Sequence, residues 1–304
     1  MTTLSAPART AAVSHRPSFG RLMLSEWTKI RSVRSTVWSL AILVVLTLVF
    51  TVLFMEMGVA NWDKSDASQQ AAMRLDPTGT ILGSGILLSQ LAICVLGTMV
   101  IASEYSTGMI RASLLAVPKR VPVLAAKGAV FGLLVLAVGE LTSFSSFFIG
   151  APILHSKAPV AIGDPGVLRA VVGCGLYLSL LGLFALAVGA IIRHTAASIT
   201  GVIAFVLVIA PMAKLLPGSV GEHVHGYLPT EAGYLITQQH PRTGDVLGPW
   251  QGLGVLALWT AVLLTVVKRR GTSDGRGKSS AGRHRVSFFG RWMQSMRSAV
   301  VGAI

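Results

Sequence analysis

An acid stands in the middle of an apolar run: Glu140, followed by the hydroxyl-rich string Thr142, Ser143, Ser145 and Ser146. A charged side chain at the centre of hydrocarbon costs roughly 2.5 to 3.5 kcal/mol on insertion scales, while a nearby leucine returns only about half a kcal/mol. Glu140 is therefore expected to face protein or a water-filled cavity. It either lines a substrate path or makes a structural hydrogen bond to a neighbouring helix. Glu222, His223, His225 and His240 are residue types that hold metals. Gly221 and Gly226 predict a loop there, however, and histidines two apart point to opposite faces of a strand, so no metal site is expected. Cys94 and Cys174 lie inside apolar runs and read as buried free thiols. Gly271 through Gly277-Lys278-Ser279 ends like a phosphate-binding loop. It has five residues between its glycines where the motif has four, and it follows a Lys-Arg-Arg stop with no strand before it, so it reads as a flexible basic linker. No Ser-His-Asp order and no paired carboxylates stand out. Glu56, Asp63, Asp66 and Asp76 read as solvated charges. Neither catalysis nor a bound cofactor is expected of this chain.

The elements that must carry these residues follow from composition. Of 304 residues, 52% are hydrophobic and 12% charged, about half the charge of a soluble domain. The apolar residues gather into six runs near the length that crosses about 30 Å of hydrocarbon. They extend from Val37 to Met55, Ile81 to Ala102, Gly128 to Gly150, Ala170 to Ile192, Ala196 to Ala213 and Leu247 to Val267. The first is not read as a signal peptide, because 36 mostly polar residues precede it. Small residues four apart, such as Gly175 with Ser179 and Ala185 with Gly189, permit close helix packing. Pro211 predicts a kink. The expected organisation is a segment 1–36, a membrane domain 37–267 and a basic tail 268–304.

Twenty Lys and Arg fall in the N-terminal segment, the second and fourth loops and the tail, and six in the remaining loops, which orients the chain with both termini in the cytoplasm. The expected location is the inner (plasma) membrane, multi-pass. The net charge of +14 is then explained by a basic face that attracts anionic membrane lipids, and no nucleic-acid partner is expected.

Two polar segments stand out. Before the first run, Phe19, Leu22, Met23, Glu26, Trp27 and Ile30 recur at helical spacing, with Arg21, Lys29, Arg31 and Arg34 among them. That pattern predicts an amphipathic helix lying in the membrane interface, against the plainer reading of a basic flank. After the second run comes Ser103-Glu104-Tyr105-Ser106-Thr107-Gly108-Met109-Ile110-Arg111, and Pro118 limits a short helix between Gly108 and itself. Its apolar residues would fill a groove on a cytoplasmic partner.

Ser25-Glu26-Trp27-Thr28-Lys29-Ile30-Arg31-Ser32, together with Glu104 through Arg111 and the following Lys119-Arg120 and Lys127, resembles the type-2 ABC transporter permeases. The resemblance reaches to Val267. It implies an all-α membrane protein of six transmembrane helices, with an N-terminal interfacial (elbow) helix carrying Glu26, Trp27, Lys29 and Arg31. It also implies a short cytoplasmic coupling helix, with Glu104, Tyr105, Thr107, Gly108, Ile110 and Arg111 receiving force from an ABC ATPase subunit. ATP and Mg would be bound by that partner, not by this chain. A second permease copy would complete a homodimer or heterodimer that exports a substrate, and the family places a broken or re-entrant helical stretch between spans five and six, here within Leu215 to Asp245. The competing expectations are an ATP-independent secondary transporter using Glu140 as proton relay, and a membrane scaffold or immunity protein.

Overall fold

The computed structural model describes residues 18–32, 34–106, 120–215, 218–240 and 245–276. These residues form helices and short connections, without a strand. In chain order the helices are α1 (Phe19–Ser32), α2 (Arg34–Ala60), α3 (Ala67–Leu75), α4 (Pro77–Ser106), α5 (Arg120–Leu154), α6 (Val167–Ile192), α7 (Thr195–Leu215), α8 (Gly218–Gly226), α9 (Pro229–Tyr234) and α10 (Pro249–Arg276). Six of them, α2, α4, α5, α6, α7 and α10, are long and apolar enough to cross a membrane. The chain is an all-α, multi-pass membrane protein.

Helix α4 extends past the expected end at Ala102, so Ser103 to Ser106 belong to the helix and not to a loop. Nothing breaks a helix before Gly108. Helix α6 is the centre of the bundle: two thirds of its most apolar window is buried, against about a quarter for α2, α7 and α10. Its glycines explain the position. A Cβ on Gly97 of α4 would lie 2.5 Å from the Gly182 carbonyl of α6, and one on Gly189 would lie 3.0 Å from the Thr98 carbonyl. Backbones that approach this closely leave room for hydrogen alone. On the α5 side, the Ser179 hydroxyl donates to the Gly132 carbonyl at 2.8 Å.

The kink expected at Pro211 takes the form of a π-helical turn, Phe205–Ile209, just before it, with the Ala210 N–H donating to the Phe205 carbonyl. Proline has no N–H to return to the previous turn, and the widened turn absorbs the lost bond. Between α7 and α10 lie α8, α9 and a 3₁₀ turn Leu235–Thr237, so His223 and His225 are helical where a loop was expected. Among the described residues, those up to Lys268 form one compact unit. In the second unit, Gly271 to Arg276 are helical, in contrast to the flexible linker expected there.

Candidate functional site

The residues around the second loop meet at one point. Lys127, near the start of α5, directs its ammonium to two carboxylates, Glu26 Oε2 of α1 at 2.7 Å and Glu104 Oε1 of α4 at 2.8 Å. Lys29 completes the cluster from the solvent side, 2.6 Å from Glu26 Oε1. Glu26, Lys127 and Glu104 are 2%, 4% and 7% exposed, so three charges share a site almost without water. Desolvated ions persist only when paired, and breaking one pair typically costs about 3–5 kcal/mol. Burial by itself would raise the Glu26 carboxyl above the usual range. The hydrogen bonds from Lys127 and then Lys29 outweigh it and hold that carboxyl below its ordinary value.

Helical position explains why these side chains meet. Glu26 and Ile30, four apart, form the buried edge of α1. Trp27 lies on the neighbouring exposed side, half accessible, and Arg31 is exposed. Glu104 occupies the last turn of α4, where the helix dipole disfavours an anion, so a cation is needed there. The next residue, Tyr105, has the Arg193 guanidinium 5.4 Å from its ring centre. Arg193 caps α6 in the left-handed region, φ 60°. The end of α4 is thereby joined to α1, α5 and the end of α6 at once. Of the coupling residues read from the sequence, Thr107, Gly108, Ile110 and Arg111 lie outside the described residues, as does the short helix expected up to Pro118. The Glu104 carboxylate is bonded within the chain, to Lys127. In the sequence Lys127 is one of the basic residues of the second loop and extends the motif. The available signal was a lysine at the edge of an apolar run, which must find anions when buried.

The opposite end of α4 holds a second polar cluster. Asp76, read from the sequence as a solvated charge, is 6% exposed. Its Oδ1 accepts from the Gly79 N–H at 2.7 Å, capping α4, and from the Gln239 N–H at 3.0 Å. Asp-Pro at a helix start is a capping pattern, so the cap is legible in the sequence. Arg169 of α6 donates through Nη2 to the Gln238 and Gln239 carbonyls at 2.9 and 2.8 Å. Thr78 donates to the Gln239 side chain at 2.9 Å. His240 Nδ1 is 3.2 Å from the Leu75 carbonyl, and His225 contacts Glu231 at 3.5 Å.

Glu140 sits between α5 and α6. A Cβ on Gly175 would lie 2.5 Å from its carboxyl carbon, so the glycine makes the space it occupies. Its Oε2 is buried without a hydrogen-bond partner among the described residues. The hydroxyls that follow it are used between helices: Ser143 donates to the Val171 carbonyl, and Ser146 joins Thr51 of α2 at 3.4 Å. Cys94 and Cys174 are both buried and free.

Residues 22–211, which include all three members of the Glu26–Lys127–Glu104 cluster, match the family model described as ABC-2 family transporter protein. No curated protein matches the chain.

Proposed function

Because the chain belongs to the ABC-2 family of transporter proteins, we propose that it is the membrane-spanning subunit of an ATP-driven exporter. The family is one of membrane transport components that work with an ABC ATPase and are not themselves catalytic. In this reading two copies of the chain, or this chain and a related one, span the inner membrane with both termini in the cytoplasm. Two separate ATPase subunits bind ATP and Mg, and force enters through the segment between Glu104 and Pro118.

The supporting observation is the buried cluster of Glu26, Lys127 and Glu104. Helix α4 ends at Ser106 and α5 begins at Arg120, and Glu104 and Lys127 near these two ends are bonded to each other. A push on the intervening segment would reach α4, α5 and α1 together instead of bending one helix end. Helix α1 then acts as the elbow, with Glu26 and Lys29 inside the cluster and Trp27 and Arg31 toward the membrane surface. Tyr105, on Arg193, extends the same linkage to α6.

Glu104 is a poor position for testing coupling, because its substitution leaves Lys127 half-paired. The test uses Gly108→Val and Arg111→Glu in the full chain, co-expressed with ABC ATPases from the same cell. Transport, ATPase stimulation and co-purification of the ATPase are expected to fall together, since a coupling free energy is felt at both sites. His223→Ala is expected to change none of them. Full transport and full partner binding in both loop variants would remove the mechanism.

One observation favours the secondary-transporter reading, namely the partnerless buried oxygen of Glu140. Glu140→Gln keeps the shape and cannot carry a proton. On the exporter reading it inserts normally and leaves transport indifferent to a proton gradient. Loss of proton-linked transport alone would favour the relay.

A further inference from the structure

Helix α1 does not lie flat on the bundle along its whole length. Met23, Leu24 and Trp27 of α1 face Val130, Leu133 and Ala137 of α5 across an open apolar groove of about 440 Å³, within the range of ligand-holding clefts. On α5 the groove covers seven residues of rise, roughly 10 Å along the helix. It starts three residues beyond Lys127 and runs away from the charged cluster into the span.

An apolar groove alone does not name its occupant, since lipid, another helix or a second copy of the chain could cover it. Charge decides between them. Helix α1 has four charged residues: Arg21, Glu26, Lys29 and Arg31. Its only anion is buried in the cluster and already neutralised by Lys127 and Lys29. The exposed charge of α1 is therefore entirely positive. Arg31 is four residues beyond Trp27, so by helical spacing it falls on the grooved side of α1, toward the C-terminal end of that helix. It is exposed. Guanidinium groups pair with phosphate through two parallel hydrogen bonds, and Trp27 has the amphipathic ring that favours the headgroup level. An apolar channel with an exposed arginine at its rim complements a molecule with a hydrocarbon tail and a phosphate.

We propose that the groove between α1 and α5 is a binding site for an anionic phospholipid, with one acyl chain lying along Val130 to Ala137 and the phosphate held by Arg31. A site of this kind does more than the surrounding bilayer. It places a ligand against the helix that carries Glu26, so the lipid stabilises the α1 position in which the charged cluster is closed. The inference needs only the membrane-spanning fold and is independent of whether an ATPase drives the protein.

The full-length chain is reconstituted in phosphatidylcholine vesicles containing phosphatidylglycerol with a diazirine on one acyl chain, photolysed, and mapped by peptide. A parallel sample carries the diazirine on phosphatidylcholine. Labelling of peptides containing Trp27 and Leu133 is expected to prefer phosphatidylglycerol, whereas the exposed face of α2 around Ile42 and Val49 shows no such preference. Arg31→Gln is expected to lower the preference about fivefold, the value of roughly 1 kcal/mol for a basic residue near an anionic lipid, and Arg21→Gln, off the grooved side, is expected to change it less. Ala137→Phe, at an exposed position, should reduce groove labelling by both lipids. Equal preference at the groove and on α2 in the wild-type chain would overturn the proposal, as ordinary bilayer contact. Groove peptides that take no lipid label and cross-link to a second protein would overturn it in favour of a protein partner. Should Ala137→Phe fail to insert, the wild-type headgroup comparison still decides.

Discussion

Helix α4 has an acid at each end, and the two are satisfied by different chemistry. Asp76 stands just before the first turn, where unpaired N–H groups and the positive end of the helix dipole favour an anion. It takes the Gly79 and Gln239 N–H groups, and the neighbouring guanidinium of Arg169 goes to backbone carbonyls. Glu104 stands in the last turn, about 42 Å away by helical rise, where the dipole opposes it. It takes a lysine from one helix, which is shared with a glutamate from another. A clamp built on backbone groups holds a particular fold of the loop and tolerates little movement. A cluster of side-chain ions joins three helices while leaving each free to shift by a rotamer.

The largest expected effect tests the ionic character of the α1 end. Lys127→Met leaves Glu26 and Glu104 facing each other without their shared cation, at an expected cost of about 3–5 kcal/mol. Thermal unfolding in lipid measures it. The triple variant Glu26→Gln, Lys127→Met, Glu104→Gln is expected to recover much of that loss, because neutral groups need no counterion. A triple variant no more stable than the single one would mean that packing, not charge, holds the three helices.

A smaller effect is expected at the opposite end. Arg169→Met removes two charge-assisted hydrogen bonds to the Gln238–Gln239 backbone, each worth about 1.5–3 kcal/mol. Part of this is returned if water reaches the freed carbonyls. Hydrogen exchange should rise first in residues 235–240 and leave α1 protected. Equal deprotection of α1 would show that the two ends do not behave as separate devices.

The smallest effect is pH dependence. The folded Glu26 carboxyl is held below its ordinary 4.5, so its contribution is fully present above the unfolded value and is lost as pH falls through the lower folded one. Acidification should therefore destabilise the α1 contact, and Glu26→Gln should flatten that acid limb while lowering stability near neutrality. An unchanged acid limb in Glu26→Gln would assign it to other carboxylates.

Much of the fold is legible in the amino-acid sequence. Run length and hydropathy are local properties, and the desolvation of a free backbone in lipid leaves helices as the solution for long apolar runs, so six spans and the α class follow from the order of residues. The presence of Glu26, Glu104 and Lys127 beside those runs was equally visible. Their pairing was not. Lys127 and Glu26 are 101 residues apart in the chain, and which acid meets which base depends on how α4, α5 and α1 rotate against one another. That rotation is set by contacts of single atoms, such as the hydrogen of Gly97 against the Gly182 carbonyl. The same holds for Asp76, whose cap was written in Asp-Pro, while its burial under Gln239 needed a loop 163 residues away. Hydropathy determines which segments leave water, and close packing between segments decides which charges then have to find each other.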